Sequence, residues 1–105
     1  MGRVSSRYAG LSRSQLDSID ALARKLYEQT LAKSVIVTFA EGSAIAKVGD
    51  VDPVTGDTLR KVSEKIAGRL RVDVAYDEAT TLGLVRLRLK YFTEEVERIV
   101  LTAQS

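Results

Sequence analysis

The side chains able to do chemistry in this 105-residue chain are few, because it contains neither histidine nor cysteine. Thiolate catalysis, disulfides, the usual zinc sites and the serine–histidine and cysteine–histidine nucleophile pairs are excluded. Carboxylates, lysines, tyrosines and hydroxyls remain. One loop gathers acids: Asp50-Val51-Asp52-Pro53-Val54-Thr55-Gly56-Asp57. Oxygen ligands from Asp50, Asp52 and Asp57 could hold a hard divalent cation. The calcium-loop pattern fails, since Val54 occupies a ligand position and Lys61 stands where a closing glutamate belongs. A turn followed by a capped helix accounts for the same residues. No phosphate-cradling loop and no dinucleotide fingerprint occurs. The Glu94-Glu95 pair reads as solvated helix surface. No catalytic residue, cofactor or metal is expected, and the chain does not read as an enzyme.

Charge offers binding instead. Lys61, Lys65 and Arg69 recur every fourth residue, a basic stripe if the segment is helical. Such a stripe could meet an acidic partner, where complementary charge speeds encounter and fixes register. The plain alternative is a solvated face lightly paired with Glu64, contributing little energy. Arg86, Arg88 and Lys90 spread around a helix rather than lining one side. With a net charge of +2 and interspersed signs, nucleic acid is not an expected partner.

These side chains must be positioned by one ordinary globular domain. Hydrophobic residues make up 45% and charged residues 29%, and the length suits a single unit. Its core would be thin, so dimerisation would help stability. No apolar run approaches the roughly 18 residues of a membrane span, and no signal-peptide core is present. A cytoplasmic protein without membrane contact is expected. Met1-Gly2-Arg3-Val4-Ser5-Ser6 fits the loose N-myristoylation pattern, though an unmodified, flexible start explains it more simply. Residues 1–11 read as a flexible arm and 12–105 as the domain.

Apolar spacing predicts the elements. Ser12 or Ser14 opens a helix whose stripe is Leu16, Ile19, Leu22, Ala23, Leu26, Tyr27 and Leu31, with Ser14 and Asp17 resembling a capping box. Ser34 to Ala40 is a β-branched strand, apolar on both sides, which implies helices above and below it. Glu41-Gly42-Ser43 turns the chain into a second strand, Ala44 to Val48, whose Lys47 suits an edge. Asp57 to about Gly68 reads as a second helix with Leu59, Val62, Ile66 and Leu70 on its apolar face and Ser63 and Ala67 as small neighbours. Arg71 to Tyr76 is a third strand. From Leu82 onward two periods compete. Val85, Leu87, Leu89 and Tyr91 alternate as in a strand, while Val85, Leu89, Phe92, Val96, Ile99, Val100 and Ala103 share a helical stripe. The stripe lasts longer, and Leu, Arg and Lys favour the helix. Leu84, Leu87 and Tyr91 then form a second apolar patch, off the main stripe.

With the elements placed, Val35-Ile36-Val37-Thr38-Phe39-Ala40-Glu41-Gly42-Ser43-Ala44-Ile45-Ala46 and the passage from Val72 through Asp77-Glu78-Ala79-Thr80-Thr81-Leu82-Gly83 to Arg86 resemble the roadblock/LC7 family, in particular its bacterial gliding-protein branch. The likeness spans roughly residues 14–103. It implies an α/β sandwich, in the order α-β-β-α-β-α, with a small central antiparallel sheet and helices on both faces. It also implies a dimeric, non-catalytic module that binds or regulates a small Ras-like GTPase, or a structural adaptor in a signalling or transport complex that docks through Leu84, Leu87 and Tyr91. Such families usually carry a further strand hairpin before the final strand, for which only Arg69 to Arg71 remains here, leaving three strands. On this reading Leu59, Val62, Ser63, Ile66, Ala67 and Leu70 would form the homodimer interface, and Lys61, Lys65 and Arg69 would meet the partner.

Overall fold

The computed structural model describes residues 10–50 and 59–103. Helix α1 (Arg13–Thr30) starts at Ser12, whose hydroxyl accepts the Gln15 amide while the Gln15 side chain accepts the Ser12 amide. The capping box is therefore Ser12 with Gln15, ahead of Ser14 with Asp17, because glutamine reaches back where the shorter aspartate does not. Leu11, expected at the end of a flexible arm, is buried in the core, and Leu16 packs on the same core. These two positions flank the cap as a hydrophobic staple does. At the other end, the buried Thr30 hydroxyl donates to the Leu26 carbonyl at 2.7 Å, and Leu31 turns the chain with a left-handed φ of 57°.

Strands β1 (Ser34–Phe39) and β2 (Ala44–Gly49) form the expected hairpin. The next segment is strand β3 (Arg60–Ile66), and β4 (Leu70–Tyr76) follows it. The middle helix expected over Asp57 to Gly68 is thus replaced, in its described part, by a strand. The spacing misled because Val62 and Ile66, four apart, share a helix face but equally share a strand face, four being a multiple of two. Val62 and Ile66 are also β-branched. Ala67 and Gly68 take positive φ values of 54° and 68°, as a primed hairpin turn requires, and the Arg69 amide donates to the Ile66 carbonyl at 3.0 Å.

The strand order is β2-β1-β4-β3, and every neighbouring pair is antiparallel. Four strands are present among the described residues, against the three expected, and the β3–β4 hairpin supplies the difference. Helix α2 (Leu82–Ala103) completes the order α-β-β-β-β-α. Its helical period wins over alternation along the whole segment, and Thr81 Oγ1 accepts the Leu84 amide at 3.2 Å.

Register puts Val35, Val37 and Phe39 opposite Val74, Val72 and Leu70 on one side, and Val35 and Val37 opposite Val48 and Ala46 on the other. All of these are buried, with Ile66 and Tyr76. Both helices pack on this face and on each other. Helices on both faces were expected from the apolar run of β1. Among the described residues they share one face, and Ile36 and Thr38 on the other are only half-buried.

Two contacts fix how the sheet meets the helices. Gly49 ends β2 with φ +90°, and a Cβ there would sit 2.4 Å from both the Lys33 carbonyl oxygen and a Tyr27 ring carbon. That same carbonyl accepts the Asp50 amide at 2.8 Å. Where β4 leaves for α2, the Asp77 carboxylate accepts the Ala79 amide at 2.9 Å and pairs with Lys33 at 3.5 Å. The amide hydrogen bond first, and the lysine charge second, hold this carboxyl below the usual carboxylate range.

Gly49→Ala should lower stability by about 2 kcal/mol or more, since left-handed strain adds to a backbone clash; thermal melts of the purified variant check this. Asp77 is lowered on folding, so its stabilisation is complete above the unfolded carboxylate pKa of about 3.9 and is lost as pH falls through the lower folded value. The denaturant midpoint of Asp77→Asn should lie below that of the parent by a constant amount at neutral and mildly acidic pH. The gap should close on acidification below about pH 4.

Candidate protein-binding face

The sheet face that carries no helix among the described residues is built by the alternate residues that do not enter the core. Register arranges them in rows across the strands. Lys47, Ile36, Asp73 and Ser63 form one row, Thr38, Arg71 and Lys65 the next, and Ser34, Ala75 and Lys61 a third. Ser34 and Ala75 are buried, and Ile36 and Thr38 half-buried, so the middle of the face is weakly polar. Lys47, Lys61, Lys65 and Arg71 stand exposed around it.

Asp73 is the one acid on these rows, and it is already engaged. Arg71 Nε donates to its Oδ1 at 3.1 Å, and the Ser63 hydroxyl across the strand donates to the same oxygen. Lys47, Lys61 and Lys65 make no ion pair among the described residues. Three ammonium groups without an ion pair among the described residues therefore ring a mildly apolar patch. This arrangement supplies charge and contact area to a protein surface; it offers no histidine- or cysteine-based nucleophile pair.

The basic residues singled out in the sequence are separated by the strand. Lys61 and Lys65 alternate with Ser63 on the uncovered face, while Arg69 lies in the β3–β4 connection and gives its carbonyl to the Ala40 amide at 2.8 Å. Lys47 and Arg71 join the first two from other strands. Only strand register could bring them together, because nothing in their spacing links residues 47, 61 and 71.

The six residues assigned to a dimer helix do not share a face. Ile66 and Leu70 are each 2% exposed and belong to the core, so they cannot present a surface to a second copy. Val62 is half-buried on the helix-covered face, Ser63 points the other way, and Ala67 is in the turn. Leu59 immediately precedes β3 and is half-buried. Three of them, Val62, Ser63 and Ile66, lie on the outer strand: β3 has β4 on one side and no strand partner on the other among the described residues.

Of the acidic loop, Asp52 and Asp57 lie outside the described residues, as does Met1 to Ser6. No cluster of three potential metal ligands occurs among the described residues. No helix among the described residues is long and apolar enough to cross a membrane. The adaptor patch on α2 is present as a surface feature, with Leu87 and Tyr91 about half exposed and Leu84 less so.

Neither a protein-family model nor a curated protein matches the sequence. Solved structures match the fold. Myxococcus xanthus MglB aligns with a TM-score of 0.74 at 20% identity, covering 89% of this chain and 95% of that one. An MglB with a tetrameric arrangement gives 0.71 at 14% identity, with coverages of 89% and 95%. The gliding protein MglB from Thermus thermophilus gives 0.66 at 14%, covering 88% and 95%. The antiparallel sheet, its strand order and the paired helices of this chain thus make up the roadblock/LC7-like fold of MglB.

Proposed function

We propose that this protein is a non-catalytic, cytoplasmic, self-associating module that binds and regulates a small Ras-like GTPase. The observation that carries the reading is the MglB-like fold combined with a cationic sheet face on which Lys47, Lys61 and Lys65 make no ion pair among the described residues. The GTPase would supply its own nucleotide chemistry. This chain would position the partner's switch residues through Lys61 and Lys65, joined by Lys47 and Arg71.

Self-association is assigned to β3. An edge strand presents unpaired amide and carbonyl groups that a second copy can complete. Antiparallel registers centred on a residue keep inner and outer faces matched, and those centred on Ser63 and on Val62 differ in charge pairing. Centred on Ser63, Lys61 would oppose Lys65 twice, which is repulsive. Centred on Val62, Arg60 would oppose Glu64 twice and Lys61 would face Ser63. The second register matches charges and places an apolar pair at the centre. A two-fold dimer of this kind keeps Leu59, Val62 and Ser63 at the interface and excludes Ile66 and Leu70 from it.

The adaptor reading is favoured by the half-exposed Leu87 and Tyr91, which would give a GTPase-independent complex lost on Leu87→Asp.

Lys61→Glu with Lys65→Glu should weaken capture of GTP-loaded small Ras-like GTPases from the same genome by about tenfold or more at low salt. GTP hydrolysis measured with and without the protein reads regulation directly, and unaltered capture and hydrolysis would remove the assignment. Sedimentation should show a dimer that Glu64→Arg dissociates and that Arg60→Glu combined with Glu64→Arg restores; a dimer indifferent to these changes does not pair through β3.

A further inference from the structure

The two helices leave a groove along their seam, on the side of the helical layer away from the sheet. They run antiparallel, since Leu22, Lys25, Leu26 and Gln29 of α1 meet Arg88, Tyr91, Phe92 and Glu95 of α2, while Gln15 and Ser18 meet Ile99 and Thr102. From Gln15 to Gln29 the groove is roughly 20 Å long at the helical rise. Its floor is apolar. Leu26 and Phe92 are buried there, Leu22 is half-buried, and Tyr91 stands 52% exposed as a wall.

Charge distinguishes this groove from an ordinary seam. Lys25 and Arg88 stand at the same end of it, and neither is ion-paired among the described residues. The groove's acid, Glu95, is held by Arg98 at 2.5 Å. The Arg88 Nε is buried and has no hydrogen-bond partner among the described residues. A buried guanidinium N–H without an acceptor is rare and costly. Arg88 lines the groove together with the exposed Tyr91.

We infer that the α1–α2 seam docks an amphipathic helix from a partner protein, with an apolar side chain of that helix set against Leu22, Tyr91 and Phe92 and an acidic side chain received by Arg88 and Lys25. Seating a helix in an apolar groove follows a common recognition mode, with anchors repeating every three or four residues. Arginine supplies a planar donor fork to the carboxylate, and the lysine adds charge at the mouth. The opening near Arg88 has a cavity volume of about 70 Å³, room for the end of one side chain. This site is separate from the cationic sheet face and does not depend on the GTPase reading.

The test uses a random-peptide phage library selected against the full chain. Enriched peptides should share an Asp or Glu three or four positions from Leu, Ile or Phe. A synthetic copy of one should bind about tenfold or more weakly to Arg88→Met, and again to the surface variant Lys25→Glu, with Arg88→Lys partly restoring affinity. Glu97→Ala, exposed on the same helix and outside the groove, should bind as the parent does. Circular dichroism separates lost binding from lost folding, and Lys25→Glu keeps the test decisive if Arg88→Met unfolds. In nitrogen-labelled protein the Arg88 Nε–H resonance should shift on peptide addition. Failure to enrich any peptide, enriched peptides lacking an acid, or equal affinity for the parent and Lys25→Glu would each overturn the proposal.

Discussion

Pairing of β4 with both β1 and β3 is the constraint on which the molecule rests. Leu70, Val72, Val74 and Tyr76 must all leave water, and their alternation with Arg71 and Asp73 lets only one face of the strand do so. A single-residue slip would bury Arg71 and Asp73 and expose four apolar side chains. Neighbouring strands must adopt the same polarity, which fixes Val35 and Val37 inward from β1 and Ile66 inward from β3. Both helices then have one apolar surface to cover, and they cover it side by side.

The same constraint creates the cationic sheet face. Every residue that register turns away from the helices must face outward together, whatever its distance in sequence. Lys47, Lys61 and Lys65 therefore collect on one plane with Arg71, whose charge Asp73 balances, while Ser63 donates to the same carboxylate. Glu64 escapes this plane because it lies on the other face of β3, near Arg86 and Lys90 of α2. A cationic face thus arises in a chain whose overall charge is close to neutral. Folding segregates signs that are interspersed along the sequence.

Much of the fold was legible in local patterns. The α1 stripe, the β1–β2 hairpin at Gly42, the alternation of β4 and the long α2 stripe each depend on contacts near in sequence or on a period sustained over many residues. The cap at Ser12 was one of two candidates, and the choice depended on Gln15 reaching back. The segment around Val62 was illegible for a definite reason. Its apolar residues recur at an interval common to helix and strand, and a Gly after it serves equally as a helix stop or a hairpin turn. Alternation in β4 was the available clue, because a half-buried strand seeks a partner and the nearest chain is the segment before the turn.

By itself, the sequence determined what the molecule cannot use, namely histidine and cysteine chemistry, and which side chains must be buried in each well-patterned element. Those are properties of residue types and of local period. Tertiary structure alone decided that the basic middle segment is a strand, that both helices occupy one face, and that lysines from different strands share the other. The physical reason is register: hydrogen bonding between distant strands sets which residues lie side by side, and no local spacing encodes that alignment.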